Sequence, residues 1–265
     1  MTFGTKLILS VAALVVSLQV VNLAVVSNEI DQRATEAAGR DLSQAASVFD
    51  QFLSLKTQLA SETAVVTAKD FNLKQWLAGD DLETKASVLR TIESRTEADW
   101  AAYVTLDELN EITTGGSLRA GEAFPFARLL SDAAFSPSTA ATAFGAVDGT
   151  LELLVAVAVD APRTLGYLVA GFTIDGAFLD ALNASLPLGL SASFVERAGD
   201  ELVVVSDLPT AGRADFVGRL RERSADQLAA ATELSGEHYL SVIEPLVAAD
   251  ADASVELWFH SSLDR

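Results

Sequence analysis

Residues Leu7 to Val26 read LILSVAALVVSLQVVNLAVV, an unbroken apolar run without a charge. As a helix rising about 1.5 Å per residue, such a run spans the hydrocarbon core of a bilayer. Lys6 precedes it, and Glu29 and Asp31 follow it. This bias predicts a cytoplasmic N-terminus, with residues 28–265 outside. A cleavable secretory signal has a shorter apolar core that ends at a small-x-small site, whereas the run here ends Ala24, Val25, Val26, Ser27, Asn28. The pattern therefore predicts an uncleaved anchor. Gln19 and Asn22 inside the span either meet a neighbouring helix or reach the interface.

From Asn28 to Lys69 the chain has no proline, and apolar or small residues recur three or four apart: Ile30, Ala34, Ala37, Leu42, Ala45, Phe49, Phe52, Leu55, Leu59 and Val66. That spacing predicts one amphipathic helix of roughly 40 residues, or about 60 Å, continuing out of the membrane. Its apolar stripe must pack on the rest of the chain or on a second copy, because a helix in water owes its stability mainly to packing. The segment FNLKQWLAG, closed by Gly79, predicts a short helix. Asp80 and Glu83 form a capping signal for a further helix with the stripe Leu82, Ala86, Leu89 and Ile92.

After Asp99 the period falls from about 3.6 to about 2, which marks strands. Trp100 to Leu106 and Glu111 to Thr114 predict a hairpin closed by Gly115 and Gly116, and Gly121 to Ala134 holds a short helix with Phe124, Phe126, Leu129 and Leu130. Strand patterns follow at Thr139 to Val147, Thr150 to Val159 and Leu165 to Ile174, with Asp148-Gly149 as a two-residue hairpin signal. The run LELLVAVAV is apolar on both sides, as a strand covered on both faces requires. Asp175 caps a linking helix, and the grammar then repeats about 90 residues on. The second hairpin is Ser193-Phe194-Val195, a turn at Ala198-Gly199-Asp200, and Glu201 to Val204. A helix follows from Ala214 to Ala231 with Phe216, Leu220 and Leu228 inward, then strands Tyr239 to Val247 and Ser254 to Ser261.

The formal charge of −19 argues against nucleic acid and against lying flat on an anionic membrane surface, since both would repel the chain. The absence of cysteine removes disulfides, thiol catalysis and cysteine-ligated zinc. About 240 residues beyond the anchor suffice for one large domain or two small ones with real cores.

An anchor, a long rising helix and two PAS-like modules, with YVTLDELNEITTGG and FVERAGDELVVVSD opening the modules, together resemble the double Cache domain of bacterial membrane receptors. The resemblance covers residues 5–265 and rests on architecture. It implies an α+β fold: an N-terminal transmembrane helix continuing into a long helix, then two tandem PAS-like antiparallel-sheet modules. The expected division is 1–27 for the cytoplasmic N-terminus and transmembrane helix, 28–80 for the long and short periplasmic helices, 81–175 for the membrane-distal module and 176–265 for the membrane-proximal one. The resemblance further implies a homodimer in the bacterial inner membrane with its sensory region in the periplasm. A small ligand would sit in the first module, and any catalytic output would lie beyond residue 265. A single-pass envelope assembly protein that holds another protein through the long helix or a sheet edge is the competing expectation.

Catalysis finds no support in the residues. His238 and His260 stand on separate strands without a carboxylate or cysteine at ligand spacing, so neither a metal pair nor a pH switch is expected. No serine carries a nucleophile-elbow signature, and Gly115-Gly116-Ser117 lacks the spaced glycines and lysine of a phosphate loop. The ADADA run around Asp250 and Asp252 lacks the glycine and distant glutamate of a calcium loop and predicts a hairpin turn. No cofactor or metal is expected. For a ligand, a curved sheet under a helix and a long segment leaves a concavity, and Tyr103, Arg119, Arg128 and Tyr167 are its candidate polar groups. An inward arginine would select a carboxylate by two parallel hydrogen bonds, although the plainer reading leaves both arginines in solvent.

Overall fold

The computed structural model describes residues 3–69, 81–116, 118–135, 140–160, 163–222 and 232–264, and before Thr35 it describes the side chains of Leu18, Gln19, Asn22 and Arg33. Helix α1 (Phe3–Lys69) is continuous over 67 residues, so the apolar run and the amphipathic stretch form one rod about 100 Å long. Among the described residues no helix is long and apolar enough to cross a membrane. Most side chains of the run from Leu7 to Val26 lie outside them.

The C-terminal half of α1 buries only part of the stripe its spacing predicts: Leu55, Leu59 and Val66 stay exposed, because the buried side turns through Ala60, Ala64 and Ala68 instead. Leu42, Ala45 and Phe49 join the largest core cluster, and Ala64 and Ala68 pack further along. Helix α2 (Leu82–Thr96) is capped by Asp81 rather than Asp80, and the Asp81 carboxylate accepts the Glu83 and Thr84 N–H groups. Its buried side is Lys85, Leu89, Ile92 and Thr96, while Leu82 stays exposed. Lys85 tolerates burial because its ammonium pairs with Glu111 and lies over the Tyr103 ring, 5.7 Å from the centroid.

Two five-stranded antiparallel sheets follow. The first contains β1 (Trp100–Thr105), β2 (Asn110–Thr113), β3 (Ala141–Val147), β4 (Thr150–Asp160) and β5 (Thr164–Thr173), in the order β2-β1-β5-β4-β3, with helix α3 (Ala127–Phe135) between β2 and β3. Helix α4 (Gly176–Asn183) links the halves, and Asp175 caps it by accepting the Phe178 N–H at 3.0 Å. The second sheet contains β6 (Leu190–Ala198), β7 (Glu201–Ser206), β8 (Thr232–Leu234), β9 (Glu237–Leu246) and β10 (Ala253–Ser262), in the order β7-β6-β10-β9-β8, with helix α5 (Thr210–Glu222) between β7 and β8. The two orders are the same permutation, so the repeat read from the hairpins extends to whole sheets.

Local signals explain most boundaries. Asp148 and Gly149 both take positive φ, 49° and 76°, as a tight hairpin turn between β3 and β4 requires. Strand β4 is buried along its length: Leu151, Leu153 and Val155 face α1 and the second module, while Leu154 and Ala156 face the other way. Helix α5 starts at Thr210 instead of Ala214, directly after Pro209, a residue suited to the first turn of a helix. The expected short helix at FNLKQWLAG and the end of the Ala214 to Ala231 helix, with Leu228, lie outside the described residues.

An aromatic hub joins rod and modules. Phe49 of α1 lies edge-on to Phe194 at 6.0 Å and to Phe259 at 6.2 Å, and Phe194 also meets Phe144 and Phe178. The edge strand β3 is itself bonded to the second module: Phe144 donates its N–H to Val247 O at 2.8 Å and accepts the Ala249 N–H at 2.7 Å. That arrangement covers an otherwise open edge.

Candidate functional site

Each sheet turns one face to α1 and the opposite module and the other to its own helix. In the first module the second face is covered by α3 and by a strap, residues 118–126, which contributes Leu118, Phe124 and Phe126. The strap is tied to the β1–β2 turn by backbone bonds: Asn110 N–H to Glu122 O at 2.8 Å, Gly121 N–H to Asn110 O at 2.6 Å, and Phe124 N–H to Glu108 O at 2.7 Å. The strap and α3 thus close over this face of the sheet.

Register decides which side chains reach that face. Pairing of β1 with β2 slips between Tyr103 and Val104, so Asn110 stands opposite Val104 and Ile112 opposite Tyr103, with Glu111 as the extra residue. Val104 also pairs with Tyr167 on β5. Asn110, Val104 and Tyr167 thus form one row across three strands. The Asn110 side chain is completely buried, yet neither its Nδ2 nor its Oδ1 has a partner. A buried amide with both groups unmet costs free energy, about 1–3 kcal/mol for each, and is rare in a native interior. Tyr167 is half-buried, and burial, followed by the charges of Glu108 and Asp160, holds its phenol above the usual range.

At the other end of the same face, the Trp100 indole occupies the space that a side chain on Gly171 would need, and Gly116 also lies against it. The indole N–H donates to Glu152 Oε2 at 3.0 Å. Burial pushes the Glu152 carboxyl up to about 7, the Trp100 hydrogen bond opposes that rise, and Asp99 adds to it. Glu152 therefore exchanges its proton near neutrality, inside a wall of apolar side chains.

The structure separates the four residues expected from sequence. Tyr103 lies on the opposite face, among Ala64, Leu89 and Leu168, and its phenol donates to Leu165 O at 2.9 Å. Burial, reinforced by Glu111, raises that phenol to about 12. Arg119 is exposed and pairs with Glu122 at 3.8 Å; Arg128 is exposed and pairs with Asp132 at 4.0 Å. Only Tyr167 stands on the covered face. Sequence reasoning passed over Asn110, Trp100 and Glu152, although Glu152 carries the one charge inside the apolar run LELLVAVAV.

The second module's covered face is built differently. His260 is fully buried, with Nδ1 2.8 Å from Ser241 Oγ and Nε2 3.0 Å from Ser193 Oγ. Ser193 meets Ser206 at 2.6 Å, and Ser206 accepts the Leu208 N–H at 3.1 Å. Burial lowers His260 to about 3, so the ring is neutral. His238 is exposed beside Asp264, three residues before Ser241 on β9 and outside this network, and among the described residues no group of His, Cys, Asp and Glu side chains is placed to hold a metal. A cavity of about 390 Å³ opens between α1, β3, β4 and the end of β9, lined by Phe49, Thr57, Phe144 and Leu246 among others.

No protein-family model matches the chain, and no curated protein matches its sequence. Solved structures do. The sensor domain of the V. cholerae histidine kinase DctB superposes with a TM-score of 0.55 at 14% identity, covering 87% of this chain and 98% of that one. The sensory domain of the Campylobacter jejuni chemoreceptor Tlp3 gives 0.55 at 12% identity, covering 89% and 96%. The ligand-binding domain of the Pseudomonas aeruginosa amino acid chemoreceptor PctB, in complex with L-Gln, gives 0.50 at 15% identity, covering 86% and 91%. The chain thus has the Cache-type fold of receptor sensor domains, the architecture its sequence resembles.

Proposed function

We propose that the chain is the sensory region of a bacterial transmembrane receptor, with a small-molecule site under the strap of the first module. One observation carries the reading: the Asn110 amide, wholly buried on the covered face with donor and acceptor both unmet. A ligand that supplies those two bonds would recover their cost, and Tyr167 stands in the same row to contact it. Leu7 to Val26 is the membrane anchor, residues 28–265 lie in the periplasm, and 81–175 and 176–265 are the membrane-distal and membrane-proximal modules. Leu55, Leu59 and Val66 form an exposed apolar stripe along α1 at near-heptad spacing, which supports a homodimer through that helix. Signalling is then a shift between two packings of the paired helices, biased by ligand.

Thermal unfolding of the full chain in lipid nanodiscs tests the site. The screen comprises L-glutamine, L-valine, succinate, primary amines and sugars. A stabiliser must raise the midpoint in the wild type and lose its effect in Asn110→Leu. A screen in which no compound raises the midpoint counts against the reading.

A further inference from the structure

Three successive residues of edge strand β3 meet the second module in three different ways. The Phe144 ring stacks on Phe194, with centroids 6.1 Å apart, while its backbone bonds to Val247 and Ala249. Gly145 lies on the covered face of the first module; a Cβ there would fall 2.6 Å from the end of the Phe126 ring and 3.1 Å from the Ala249 methyl. Ala146 lies beside the Glu196 carboxylate of β6, whose buried Oε2 has no hydrogen-bond partner. Ala249 is completely buried and belongs to the first module's covered core, with Trp100, Phe124 and Phe126, although it follows β9 of the second.

We infer that the segment 247–249 is the element that transmits a change under the strap to the second module, with Phe126 and Ala249, which both crowd the space over Gly145, as the joint. The inference rests on the reading of that covered face as a ligand site. Phe126 is the last strap residue before α3 and lies edge-on to Phe124, with centroids 5.6 Å apart, so lifting the strap for a ligand displaces both rings. The space over Gly145 holds the Phe126 ring end and the Ala249 methyl, with no room for a further group. Close-packed interiors respond to such a shift by repacking as a unit. Two backbone bonds fix 247–249 to β3, so the β9–β10 turn, and with it strand β10, follows the ring. Coupling of this kind is reciprocal: loosening either side loosens the other.

Amide hydrogen exchange on the full chain in nanodiscs, without ligand, tests the joint. Phe126→Ala should speed exchange of the Phe144 and Ala249 amides by about tenfold, while the Leu208 amide, deep in the second module, keeps its rate. Ala249→Gly removes only a methyl and keeps the fold; it should speed the Asn110 and Phe124 amides under the strap by about threefold. Unchanged rates at Asn110 and Phe124 in Ala249→Gly, or a uniform rise that includes Leu208 in Phe126→Ala, would overturn the inference. The measurement uses no ligand, so a failed ligand screen and a failed joint are separate results.

Discussion

The covered faces of the two modules have the same strand order and opposite polar economies. Under α5, His260 has both ring nitrogens paired, and its serine partners pass the chain of bonds on to the backbone at Leu208. Under α3 and the strap, Asn110 has neither polar atom paired, and Glu152 holds a carboxyl shifted to about 7 against a single indole. A buried polar group that is fully met fixes one packing, whereas one left unmet costs free energy that the rest of the fold must offset. The same strand order thus carries a fully bonded polar network in one copy and an unmet amide in the other.

The largest test of that contrast is His260→Ala. It empties a fully buried ring position, takes the imidazole partner from Ser241 and leaves Ser193 with Ser206 alone, so denaturant unfolding should show a loss of about 4 kcal/mol and the midpoint should fall by roughly 10 °C. A loss under about 1 kcal/mol would mean that the serine row does not hold the second module together.

Next comes pH. The folded state raises the Glu152 carboxyl to about 7, above its ordinary value of 4.5, so the native protein binds more protons between those values. Its contribution is fully present at low pH and is lost as pH rises through 7. Between pH 5 and 8 the wild type should lose roughly 2 to 3 kcal/mol that Glu152→Gln, which keeps an acceptor for Trp100, does not lose. His260 carries the opposite sign. Its ring is lowered to about 3, so stability falls as pH drops from about 6.5 toward 3. Parallel pH profiles for wild type and Glu152→Gln between 5 and 8 would remove Glu152 from the contrast.

Smaller effects sharpen the site. Asn110→Leu replaces two unmet polar atoms with an apolar group of similar shape, and chemical denaturation should show a gain of about 1 kcal/mol while ligand stabilisation disappears. A loss of stability instead would make Asn110 a structural residue. Arg119→Ala and Arg128→Ala remove exposed pairs and should stay within about 0.5 kcal/mol, with ligand affinity unaltered in a titration. A tenfold weaker titration for either variant would restore the arginines to the site.

Much of the architecture was legible because it is periodic. The three-four stripe through Leu42, Ala45 and Phe49 foretold one rod, and Asp148-Gly149 and Asp175 marked a turn and a cap that the coordinates reproduce. The Asp81 cap was displaced by one residue because Asp80 and Asp81 are adjacent equals in sequence, and only the backbone chooses between them. Strand β8 escaped notice because three residues are too few to establish a period. The site was less legible. Tyr103 and Tyr167 look alike on paper, but pairing turns them to opposite faces, and the slip at Glu111 that brings Asn110 inward is a property of two strands together. Charge drew attention to Arg119 and Arg128, whereas the unmet polar group under the strap is a neutral amide in a turn-like stretch.

Phe49 has a practical consequence. Its ring is sealed inside a nest formed by the second module, which makes the rod a load-sharing wall of the head as well as its mount. A fragment that begins after Phe49 would leave that nest with a hole the size of a benzene ring and an apolar floor open to water. The same rod packs on the first module through Ala64 and Ala68, so one helix forms part of the core of both halves.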